Sequence, residues 1–129
     1  MKKTKYILIT ISILFLTSFS NIRKEDNLLL KVWTYENYNN EILTYKSQRN
    51  FSKKSSGIEL KENGILKVKQ NVGWCGTSPI TYEIVDGKWK MTTDSIIHLE
   101  YKNWNGNVYE KRKIVGLTSD KLVLQILKK

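Results

Sequence analysis

From Pro79 to Leu127 the chain alternates short apolar and β-branched runs with turn signals, a pattern that commits this half to antiparallel sheet. The signals are Asp86-Gly87, Thr93-Asp94-Ser95, Asn105-Gly106-Asn107 and Thr118-Ser119-Asp120. Each predicts a reversal, so each strand is expected to pair with the next in a meander. Ile80, Tyr82 and Ile84 share one face with Thr81 and Glu83 opposite, and beyond the turn expected at Asp86-Gly87 the side chains of Trp89 and Met91 point inward. Ile97, Leu99 and Tyr101 take the inner face with His98, Glu100 and Lys102 outside. Leu122, Leu124 and Ile126 close the domain, with Val123 and Leu127 opposite. The stretch feeding this run is unusual: Val72-Gly73-Trp74-Cys75-Gly76-Thr77-Ser78-Pro79.

Upstream, Ile58-Glu59-Leu60-Lys61 and Leu66-Lys67-Val68-Lys69 alternate on either side of Asn63-Gly64. Asn and Gly both tolerate the positive φ of a tight turn, so a hairpin is predicted with Leu60, Leu66 and Val68 in the core. Leu28 to Glu36 is apolar on both faces and reads as the first strand; Ile42 to Tyr45 reads as a short one. Residues 46–56 are polar and end in Lys53-Lys54-Ser55-Ser56-Gly57, a loop. One strand does not alternate cleanly. In Val108 to Val115 the charged Glu110 and Arg112 share a parity with Val108 and Ile114. This predicts either a bulge near Lys111-Arg112 or a wet interior. The sum is an all-β fold, an antiparallel up-and-down meander of about eight strands closing into a small barrel.

Residues 1–20 read as a signal peptide that forms a helix. Lys2, Lys3 and Lys5 precede a mostly apolar stretch from Tyr6 to Phe19, and Ser18 and Ser20 put small side chains where a peptidase cleaves. At about 1.5 Å per residue the apolar stretch spans roughly 21 Å as a helix, short of a hydrocarbon core of roughly 30 Å. Export to the periplasm or cell exterior after cleavage near Ser20 is expected; an uncleaved membrane anchor is the alternative. Residues 21–27 form a flexible leader and 28–129 the barrel domain. The chain carries a net charge of +10, and loss of Lys2, Lys3 and Lys5 leaves +7, which biases encounters toward anionic surfaces.

Chemistry-bearing residues are sparse. One cysteine, Cys75, excludes an intramolecular disulfide; it reads as a small buried hydrophobe beside Trp74, with pairing to another chain left open. Catalysis by Cys75 needs a base, and His98, the only histidine, faces away from the core. A lone histidine makes no three-ligand metal site. Gly73 and Gly76 precede a Pro and a strand rather than a helix, unlike a phosphate loop. No enzyme constellation and no cofactor site is expected. Among Trp33, Trp74, Trp89 and Trp104, core packing accounts for most; Trp104, between Asn103 and Asn105, is placed at a barrel mouth. Trp74, Trp104, Glu110 and Arg112 are the candidate ligand-binding residues. Lys67, Lys69, Lys88, Lys90, Lys102 and the Lys111-Arg112-Lys113 cluster read as a solvated face, and an exported protein rarely meets nucleic acid.

The succession of Trp33, the Ile58 to Lys69 hairpin, Gly73-Trp74-Cys75-Gly76-Thr77-Ser78-Pro79-Ile80-Thr81-Tyr82, Asp86-Gly87-Lys88-Trp89 and Leu117-Thr118-Ser119-Asp120-Lys121-Leu122-Val123-Leu124 resembles the small lipocalin-like domains exported by Bacteroidetes-type bacteria. The resemblance runs from Leu28 to the end and rests most on the Cys-Gly-Thr block. It implies a lipocalin-like barrel and supplies no catalytic residues. Relatives that are lipoproteins carry an acylated Cys where Asn21 stands, which puts tethering in doubt. Two functions follow: a monomeric barrel admitting a small, partly apolar molecule, or a non-enzymatic envelope or inhibitor protein offering its basic surface to an acidic partner. Glu110 and Arg112 turned inward favour a polar guest; a barrel packed solid ends the ligand reading.

Overall fold

The structure is a computed structural model describing residues 28–72, 80–93 and 95–128. Eight strands form one closed antiparallel barrel: β1 (Val32–Asn39), β2 (Ile42–Gln48), β3 (Gly57–Leu60), β4 (Ile65–Asn71), β5 (Tyr82–Thr93), β6 (Ile96–Asn103), β7 (Gly106–Leu117) and β8 (Lys121–Ile126). The segments expected to be a signal peptide (1–20) and a leader (21–27), and Trp74 and Cys75, lie outside the described residues.

From β3 to β8 the chain is the expected meander, each strand paired with the next. The first hairpin departs from it. Around the barrel the order is β1-β2-β8-β7-β6-β5-β4-β3, so β1 lies between β2 and β3, and β2 closes the barrel against β8. A strict up-and-down order is therefore corrected to one with a single crossover, residues 49–56, passing outside β1. The crossover covers Thr34, which faces outward yet is buried and bonds Gln48 Oε1 at 3.0 Å. Ser56 O accepts from Tyr35 N at 3.0 Å, stitching the crossover to the strand it passes. The first strand begins at Val32 rather than Leu28, because residues 28–31 turn across the barrel end.

Alternation fills the interior. Trp33, Leu60, Leu66, Ile97, Leu99, Leu122 and Leu124 all point inward and are sealed from solvent. Each buried side chain of this kind contributes about 1.5–3 kcal/mol. Leu29 plugs one end of the barrel, where its carbonyl accepts the buried Trp33 indole N–H at 2.9 Å.

One local expectation is overturned, and of the two readings offered for β7 one is excluded. Asp86-Gly87 is no turn: β5 runs straight through it, pairing with β4 up to Lys88 and with β6 from Gly87 onward. A continuous strand keeps its parity, so Val85, Trp89 and Met91 face in while Ile80 and Ile84 are 61% and 51% exposed. Nor does the ladder break near Lys111-Arg112; β6 and β7 stay in register from Ile96↔Lys113 to Asn103↔Gly106. The irregularity of β7 lies between Ile114 and Gly116, opposite β8. The mixed parity of this strand thus means a polar patch inside the barrel.

Candidate functional site

With Leu29 across one end, the other end is where inner-face residues reach solvent. The β1–β2 turn, the connection from β4 to β5 and the β6–β7 turn all lie there. Just inside, four side chains, three from the neighbouring strands β6 and β7 and one from β2 beyond β8, form a single polar network. Arg112 (β7) donates through one terminal nitrogen to the Tyr45 (β2) hydroxyl at 2.8 Å and through the other to Glu110, two residues earlier on the same face. The Tyr101 (β6) hydroxyl donates to the second Glu110 oxygen at 3.3 Å. Tyr35 (β1) stands edge-on to Tyr45, ring centroids 6.2 Å apart.

Register brings these residues together. Leu99 pairs with Glu110 and Tyr101 with Val108, so the inner face of β6 meets that of β7. Tyr45 pairs with Leu122 and Tyr35 with Tyr45, which carries the same face through β8 and β2 to β1. Arg112 is only 8% exposed, while the Glu110 side chain keeps 32%, so the carboxylate is the network's solvent side.

The electrostatics are those of a desolvated cluster. Burial, reinforced by the Glu110 carboxylate, pushes the Tyr101 hydroxyl up to about 12. Burial likewise raises Tyr45, opposed by the guanidinium beside it. For Arg112 burial works against the charge, but Tyr45 and Glu110 outweigh it and hold the guanidinium above its ordinary range. At neutral pH the cluster is two neutral phenols around a paired cation and anion. Arg112 Nε is buried without an acceptor. A buried unpaired donor costs about 1–3 kcal/mol, so the network is not built for stability alone.

Of the residues expected to bind a ligand, the structure brings Glu110 and Arg112 together inside the mouth. Trp104 stands at the tip of the β6–β7 turn, 84% exposed and away from the network. Tyr45 and Tyr101 carry no signal of their own in the sequence; the signal that points to them is Arg112 at inward parity, which requires acceptors on facing strands. His98 lies on the outer face as expected, its Nε2 bonded with Thr92 Oγ1 at 2.8 Å.

A concavity of about 1200 Å³ follows the β4–β8 wall instead of the mouth. Its lining mixes inward residues such as Trp89 and Leu99 with outward Lys88, Lys90, His98 and Lys111, and Glu110 is the one network member it reaches. Polar groups converge at the mouth and not along this trough. Comparisons with protein-family models, curated proteins and solved structures find no match for this chain.

Proposed function

We propose that this barrel binds a small, partly apolar molecule at its open end, as a non-enzymatic, exported lipocalin-like domain. The observation that carries the reading is Arg112: a guanidinium held inside a barrel with one donor unmatched. Val85, Val108 and Tyr35 offer the guest apolar surface around Glu110 and Arg112. The filled middle of the barrel confines it to the mouth, so the guest is short or leaves its tail in solvent.

The head group follows from charge. Glu110 already balances Arg112, so a guest carboxylate adds an unbalanced negative charge to a site with little water, whereas an amide N–H or a hydroxyl donates to the Glu110 carboxylate on the solvent side of the network without that penalty. The test is titration of intrinsic fluorescence with a matched primary amide, alcohol and carboxylate of one chain length. Saturable binding with the neutral heads ahead of the acid is expected, and Glu110→Gln should move the preference toward the acid. Absence of saturable binding by all three would overturn the reading.

One observation favours a second function, an acidic partner on the outer wall. Lys90, His98 and Lys111 stand side by side across β5, β6 and β7 by register. Three basic or ionisable groups on adjacent strands make a patch whose field reaches about a Debye length. Capture of acidic envelope components at low salt, lost at high salt and in Lys90→Glu/Lys111→Glu, is its test.

A further inference from the structure

The side chains that ring the open end are of a kind a soluble protein seldom leaves in water. Trp104 projects from the β6–β7 turn at 84% exposure; Val72 and Ile80 flank the β4–β5 connection; Tyr38 stands next to last in β1. All four are exposed. Tyr38 pairs with Leu43, whose side chain faces the interior, so its ring stands on the inner lip of the mouth. The Leu29 end carries the exposed aliphatic Ile65, but among the described residues its turns, Asn63 and Gly64, Ser95, and Thr118 to Asp120, present no exposed aromatic ring.

We infer that this end docks on an anionic lipid bilayer. A tight turn does not require Trp104; Asn103 Oδ1 accepts from Asn105 N at 2.8 Å and holds the turn without it. Tryptophan and tyrosine at one level, with aliphatic side chains between them, match the interfacial zone of a bilayer, where amphipathic rings gain both apolar contact and hydrogen bonding. The charges fit. Lys53, Lys54, Lys102 and Lys128 lie toward this end against Glu36, Glu41 and Glu83, with Lys128 and Glu41 paired at 2.8 Å. The rim therefore carries one surplus positive charge, and the +7 that remains without Lys2, Lys3 and Lys5 draws it to a negative surface. Rings supply residence on the surface; charge supplies approach and lipid preference. The inference stands whether or not the mouth holds a guest.

Sedimentation with vesicles of phosphatidylcholine alone, or mixed with phosphatidylglycerol, tests it. The protein should pellet with the mixed vesicles at low salt, be released at high salt, and shift its tryptophan emission to the blue when bound. Trp104→Ser should weaken partitioning about tenfold, the worth of one buried ring, and abolish most of the blue shift. Val115→Ser, exposed on the wall beyond the rim, should change neither. Circular dichroism establishes that both variants keep the fold. No association with mixed vesicles overturns the inference, as does equal, salt-insensitive binding to phosphatidylcholine or equal loss in Val115→Ser. A concentration-dependent dimer without vesicles that Trp104→Ser abolishes would make the partner a second copy of the chain and overturns it too.

Discussion

A guanidinium among tyrosines inside a small barrel has consequences that do not depend on what the barrel binds. Arg112 hands its two terminal nitrogens to Tyr45 and Glu110, so deleting it strands a carboxylate and a hydroxyl together. Arg112→Met should lower stability by about 3 kcal/mol, read as a shift in the urea midpoint. Replacing Glu110 as well removes the stranded charge; Glu110→Leu/Arg112→Met should recover most of that loss while abolishing any preference among guest head groups. A double variant no more stable than the single one would mean that the pair itself holds the barrel shut. The phenol of Tyr101 gives an independent readout. Its folded pKa of about 12 exceeds the unfolded 10.0, so the folded barrel keeps a proton that the unfolded chain releases. Its contribution to stability is full below pH 10 and is lost as pH rises toward 12. Tyr101→Phe should flatten that part of the stability profile, measured by urea titration across the same range.

At the level of single strands and turns, glycine decides where sequence reading succeeds. Asn63-Gly64 sits at φ of 62° and 74°, and there the hairpin of β3 and β4 is where the residue types place it. Gly87 follows an Asp and carries the same turn signal, yet it lies inside a twelve-residue strand. Its role is close approach: a Cβ at Gly87 would stand 2.2 Å from the Glu100 carbonyl oxygen and 2.9 Å from Tyr101 Cβ. Gly87→Ala should therefore push β6 from β5 and cost about 2 kcal/mol, with loss of near-ultraviolet signal from the neighbouring Tyr101. Retained stability would show that β5 can move aside. Composition alone does not separate a turning glycine from a crowded one, because the difference lies in a partner strand not adjacent in sequence. The β1–β2 hairpin was legible as two strands but not in the conformation of its turn, for a related reason. Its turn residues Asn40 and Glu41 both take positive φ, 48° and 68°, a conformation glutamate rarely adopts and no local pattern announces.

On the scale of the barrel, alternation along Leu66, Val68, Ile97, Leu99, Leu122 and Leu124 specified which residues fill it, since parity follows from the pleat alone. Neighbour order around the barrel does not follow from the pleat, and the placement of β1 between β2 and β3 is set by the 49–56 crossover, whose polar residues carry no such instruction. The same reasoning explains the site: Glu110 and Arg112 were visible as charges at inward parity, whereas their tyrosine partners depended on which strands met across the interior. Register also fixes where the molecule opens. The first half of β5, residues 82–86, pairs with β4 but not with β6, and residues 106–110 of β7 pair with β6 but not with β8. Both unpaired edges lie at the mouth. Strand β1 at Val32 to Thr34, by contrast, is bonded on both sides and its Trp33 is sealed. Amide exchange follows local opening, and a strand paired on one side opens at lower free energy than one paired on both. Amides of 82–86 and 106–110 should exchange well before those of Trp33, Leu122 and Leu124 under native conditions, and a guest or a lipid surface at the mouth should slow the first group alone. Uniform protection across both groups would mean that the barrel opens only by global unfolding, and a guest would then have to bind the closed mouth as it stands.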